Sequence, residues 1–159
     1  MAEYFTNNRQ LIKDLKINTG SSSTPTWSSL CCASEMTLNM DVNSDDFYVW
    51  CDAVQRHIQS GMALTLETTL KVDAENEGIQ SILTKIQTAM TSGSLVTLDN
   101  VQIKFDVLKS YATNTLTYET YTATATMVVE ALGGSAEDSA EIGVTFNING
   151  PLTTANSST

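Results

Sequence analysis

The sequence predicts a mainly β chain of the α+β class, an antiparallel β-sandwich or half-barrel with one amphipathic helix. Three observations carry this. Long segments alternate apolar and polar residues with period two, the signature of a sheet with one dry and one wet face. A single segment, residues 76–91, follows helical spacing instead. Serine and threonine together fill 39 of 159 positions, and threonine favours strands.

Residues 1–10 are polar and read as an N-terminal arm, followed by a β domain over 11–152 and a C-terminal tail over 153–159. Leu11 to Asn18 form a first short strand, closed by the turn Gly20-Ser21-Ser22-Ser23. Pro25, Trp27 and Leu30 lead into the next strand, with Trp27 expected as a plug in the core. That strand places Met36, Leu38, Met40 and Val42 on one face and Glu35, Thr37, Asn39 and Asp41 on the other. A second long strand sets Met62, Leu64, Leu66, Thr68, Leu70 and Val72 against Ala63, Thr65, Glu67, Thr69 and Lys71.

Residues 43–61, between these two strands, are expected to form a long loop. Such connections are uncommon unless they do something, and this one carries the apolar knot Phe47-Tyr48-Val49-Trp50-Cys51. It reads in two ways: as a local lid, with Phe47 and Trp50 packed on their own sheet, or as a protruding loop that docks on a neighbouring subunit. Aromatic side chains are favoured interface anchors, because they bury large area at low entropic cost. Phe47, Tyr48, Val49 and Trp50 are therefore the candidate inter-subunit contacts.

In the helix, Ile79, Ile82, Leu83, Ile86 and Met90 make the apolar stripe while Gln80, Lys85 and Gln87 face out. Asp73 or Asn76 caps its start, Glu75 and Glu77 suit the positive end of its dipole, and Gly93 ends it. Three more strands follow. They alternate at Val101, Ile103, Phe105 and Val107, then at Tyr121 through Ala131, then at Ile142, Val144, Phe146 and Ile148. Gly133-Gly134-Ser135-Ala136-Glu137-Asp138 makes a turn between the last two.

Composition excludes several functions. The net charge of −10 opposes an ordinary grip on nucleic acid, which needs clustered Lys and Arg. The charge is uneven: residues 110–159 hold no Lys or Arg, whereas the first sixteen hold Arg9, Lys13 and Lys16. Cys31, Cys32 and Cys51 are an odd set with one adjacent pair, which is not a disulfide framework. No signal peptide and no membrane-spanning run is visible.

The lone histidine, His57, leaves no catalytic triad or zinc set, and reads as a surface residue. Asp41, Asn43, Asp45 and Asp52 mimic four positions of a calcium loop, but Asp46 stands where its glycine is required. No catalytic residues, metal site or cofactor are expected.

The order of elements resembles that of phage major tail tube proteins. The matching parts are a short first strand, a Trp-bearing lead into a long strand, a long loop, a second long strand, one amphipathic helix and closing strands. The ending Gly143-Val144-Thr145-Phe146-Asn147-Ile148-Asn149-Gly150-Pro151-Leu152 is similar to that family's last strand. The resemblance spans residues 11–152. It implies sheets that join between subunits, hexameric rings stacked into a hollow tube, and a long loop that touches the adjacent ring. It also implies a tape-measure protein in the lumen, terminator and tip proteins at the ends, and DNA that passes through without sequence-specific binding. The place it implies is a virion tail assembled in the cytoplasm of a bacterial host, with no membrane insertion of this subunit.

The residues support such a conduit on two counts. The wet faces are long and Thr-rich, suited to lining water. A wall poor in basic charge would let DNA slide, since a basic one holds phosphate by counterion release. Glu35, Asp41, Thr65, Glu67 and Asp106 are the candidate lumen-facing residues, although Lys71 and Lys104 share the same nominal faces. Competing readings are the tube of a contractile tail or secretion apparatus, a pilin-like subunit, and a ligand-binding β-domain.

Overall fold

The computed structural model describes residues 11–30, 33–47, 56–73, 75–112, 115–133 and 140–154. Its seven strands join one antiparallel sheet. They are β1 (Ile12–Asn18), β2 (Trp27–Ser29), β3 (Ala33–Phe47), β4 (Arg56–Lys71), β5 (Val101–Ala112), β6 (Thr115–Gly133) and β7 (Glu141–Thr154). The helix α1 (Glu77–Ser92) lies between β4 and β5 in the chain, followed by a 3₁₀ turn at Val96–Leu98. The strand order is β2-β1-β5-β6-β7-β4-β3.

Period-two alternation becomes sidedness through the register. Leu66 lies beside Phe146, and Phe146 beside Met127. Ile148 lies beside Ala125, and Ala125 beside Val101. All of these apolar residues therefore share one face, with Phe105, Ile103 and Phe146 fully buried. Each such side chain removed from water contributes about 1.5–3 kcal/mol. Thr68 is buried on this face too, and its hydroxyl donates to the Glu35 carbonyl at 2.7 Å. A paired hydroxyl can be buried at small cost.

The sheet closes toward its apolar side. β1 and β3 approach each other although four strands separate them in the sheet order. Leu30, in the connection between β2 and β3, is buried beneath this closure and its N–H donates to the Leu15 carbonyl at 2.8 Å. One curved sheet with one helix on its dry side is the half-barrel form of the expected fold.

The helix shows why that segment departs from the sheet. Asn76 caps it, its side-chain oxygen accepting from the Ile79 N–H at 3.1 Å while its Nδ2 donates to the Ser29 carbonyl. Gly93 ends it in the left-handed region at φ 69°. Ile79, Ile82 and Ile86 join the core, as does Ala89. Met90, expected in the stripe, is 72% exposed. Its position is within about 20° of Ile79 around the helix, so its exposure comes from its place in the last turn, past the buried isoleucines. Gly78 permits the close approach, because a Cβ there would stand 2.8 Å from Leu30 Cδ2.

Four other expectations need correction. Residues 43–61 are not one loop: β3 runs on to Phe47 and β4 begins at Arg56, so most of the segment is hairpin. The polar run Asn43-Ser44-Asp45-Asp46 hides this, since it does not alternate and a register shift falls between Asn43 and Ser44. Residues 153–154 belong to β7 rather than a tail, with Thr153 beside Thr122. Trp27 is half-buried on the wet face rather than a core plug; the buried position is that of Leu30. Residues 115–120 extend β6 beyond the expected strand, paired with the end of β5.

Candidate interaction surfaces

Glu35, Asp41, Thr65, Glu67 and Asp106 all lie on the wet face, opposite α1. The register requires it: Thr37 lies beside Glu67, Glu67 beside Thr145, and Thr65 beside Asn147. Asn147 lies beside Thr126 on β6, whose alternation carries the same face to Thr120 beside Asp106. Hydroxyls and amides tie the surface together. Thr120 donates to Asp106 at 2.6 Å, Thr145 donates to Glu130 at 2.7 Å, and Asn149 donates to Thr126 at 3.1 Å.

Charge on this face is largely sorted by flank, with Asp106 of β5 the exception on the basic side. Glu35, Glu67 and Glu130 surround a depression of about 210 Å³ on the β3-β4-β7 side. Lys71 lies on the same side but is paired with Glu141. On the other side Lys16 of β1 lies directly beside Lys104 of β5. Next to them Trp27, Gln102, Lys104, Thr122 and Asn149 line a groove of about 470 Å³, with the Lys104 ammonium 5.5 Å from the Trp27 ring centre. The sequence reading missed this basic flank. Its one legible signal was the cluster of Lys13 and Lys16, because the register that brings Lys104 beside them is a tertiary fact.

The second surface is the far half of the β3–β4 hairpin. Pairing of β4 with β7 stops at Leu64 beside Ile148. Two residues later Gly150 takes φ 82° and Pro151 offers no N–H. There β7 shifts register against β6 and leaves β4 behind. From Arg56 to Ala63, β4 therefore pairs with β3 alone. The ribbon keeps an apolar face, but nothing covers it among the described residues: Met40 is 60% and Met62 58% exposed, and Val42 is exposed beside Met62. A two-stranded ribbon is marginal by itself in water.

Of the candidate contact residues, Phe47 ends β3. Tyr48, Val49 and Trp50 lie outside the described residues, as do the three cysteines. Asp41, Asn43 and Asp45 lie along an extended strand rather than a folded loop. No group of three or more His, Cys, Asp or Glu side chains is placed to hold a metal among the described residues. No helix among them is long and apolar enough to cross a membrane.

No family model matches the chain, and no curated protein does. Solved structures do. The SPP1 tail tube superposes with a TM-score of 0.59 at 11% identity, over 91% of this chain and 76% of that one. The tail of an empty gene transfer agent particle, refined with C6 symmetry, gives 0.57 at 9% identity, over 95% and 99%. The sheath/tube terminator of an extracellular contractile injection system in its extended state gives 0.53 at 10%, over 97% and 99%. The chain thus shares the architecture of proteins found in tails and injection tubes.

Proposed function

We propose that the chain is the structural subunit of a phage tail tube, assembling as hexameric rings stacked around a lumen that conducts viral DNA into the host. The observation that carries this is the shared fold over nearly the whole chain, combined with surfaces that a lone subunit leaves unmatched. Among the described residues β2 and β3 are open sheet edges, and exposed edges are a liability in a protein meant to stay single. The projecting ribbon exposes Met40, Val42 and Met62. In an assembly the edges meet neighbours in the ring and the ribbon meets the adjacent ring, where Phe47, Tyr48, Val49 and Trp50 are the candidate contacts.

In this reading the wet face with Glu35, Asp41, Thr65, Glu67 and Asp106 lines the lumen. Hydroxyl, amide and carboxylate groups present a hydrated wall that does not hold phosphate. The tape-measure protein occupies the lumen before ejection, and terminator and tip proteins close the ends. The sixfold ring is supported by the C6 symmetry of the gene transfer agent tail that this fold matches. A second reading, the tube of a contractile injection apparatus, is favoured by the match to the injection-system terminator. Negative-stain microscopy of the purified chain tests the tube itself. Hollow, regularly striated tubes are expected; only small particles at high protein concentration would overturn the proposal.

A further inference from the structure

One flank of the wet face breaks a local rule, and the other carries charge of the opposite sign. Like charges directly opposite on neighbouring strands are destabilising, yet Lys16 and Lys104 are such a pair. Neither has a carboxylate partner among the described residues. Lys13 is already engaged, 3.8 Å from Asp14 and over the Tyr118 ring. At the other flank, the open edge strand β3 carries Glu35, Asp41, Asp45 and Asp46 and no Lys or Arg. Glu35 and Asp41 are exposed on the wet face and have no cationic partner among the described residues.

The approach of β1 to β3 within one subunit does not resolve this. The depression between them is lined by Ile12, Leu15, Leu30, Ala33 and Met36, residues of the dry side and its connections, with Lys13 and Asp14 at its rim. Among the described residues, the outer edge of β3 past Met36 has no strand beside it.

We infer that the lateral contact between copies of this chain is keyed by charge: the acidic β3 edge of one copy seats against the β2 edge of the next, on the flank where Lys16 and Lys104 stand on the wet face, so that Glu35 and Asp41 lie in their positive field. This rests on the tube reading above and names the surfaces that make its ring. Two β3 edges brought together would oppose carboxylates, and two basic flanks would oppose ammonium groups, so both self-matched pairings are disfavoured. Only the head-to-tail arrangement satisfies both flanks, and such a contact can close into a ring.

Three variants test it: K16E/K104E, E35K/D41K, and the chain carrying all four reversals. All four sites are on the wet face, and folding of each variant is checked by circular dichroism. Tubes are quantified by sedimentation and microscopy. Each double variant alone should lose assembled material, on the order of tenfold or more, since like-charge juxtaposition costs several kcal/mol. The fourfold variant should regain it, and so should an equimolar mixture of the two doubles, in which copies can alternate. Should one double variant fail to fold, the other judged against the fourfold chain decides the matter. If the wild type forms tubes and the doubles do so equally, or the fourfold chain stays unassembled, the charge key is wrong and the tube reading stands. A wild type that never assembles overturns both.

Discussion

The near and far halves of the β3–β4 hairpin share two strands and one alternation, and their fates differ. Near the core, Leu66 and Leu70 are fully buried and Leu38 packs against them. In the far half, Met40, Val42 and Met62 continue the same apolar face into solvent. What changes is the company. The near half has β7 on its open side, and α1 and Leu30 lie on the same dry face. The far half has neither, since β7 leaves at Gly150. Alternation assigns a residue to a face, but only a third strand and a covering layer make that face a core.

The largest expected effect comes from cutting into the near half. Leu66→Ala empties a fully buried site between Leu38 and Phe146. It should destabilise the subunit by about 2–5 kcal/mol, the range for leucine-to-alanine cavities. Urea denaturation of the unassembled chain measures this. A loss below about 1 kcal/mol, the scale of a surface change, would mean that the near half is not the packed region.

The division between the halves is itself open to attack at Gly150. A Cβ there meets nothing within 4 Å, so an alanine adds no clash and reports the backbone alone. At φ 82° it should cost about 1–2 kcal/mol. If Gly150→Ala leaves stability unchanged, β7 can follow another path past β4, and the far half is not set apart by this kink. The same denaturation series compares the two variants directly.

Much of this was legible in the sequence, for reasons that can be stated residue by residue. The helix announced itself through Ile79, Ile82 and Ile86 and through its terminal residues Asn76 and Gly93. The five wet-face residues Glu35, Asp41, Thr65, Glu67 and Asp106 were assigned together because parity survives along a strand without a bulge. Where bulges enter, parity fails as a guide. The shift between Asn43 and Ser44 concealed the length of the hairpin, and the shift in β7 after Asn149 concealed where it separates. Pairings such as Lys16 with Lys104 join segments far apart in the chain, and no local pattern encodes them. The wrong expectation for Trp27 has the same origin: size and hydrophobicity suggested the core, whereas its strand position put it beside Lys104 on the wet side.

The smallest effect on the subunit should accompany a large effect on assembly. Val42 and Met62 are direct neighbours on the bare face of the ribbon. Replacing both with serine removes apolar surface that water already reaches, so stability should change by no more than about 0.5 kcal/mol. If that face is what the adjacent ring covers, the same V42S/M62S chain should fold normally and form short rings or free subunits instead of long tubes. Unchanged tube length by microscopy would show that the ribbon's apolar face is not the stacking contact. A cost comparable to that of Leu66→Ala would erase the distinction between the halves, because it would mean that the ribbon is buried in the single subunit. The two readouts separate a residue that holds the fold from one that the fold holds out for a partner.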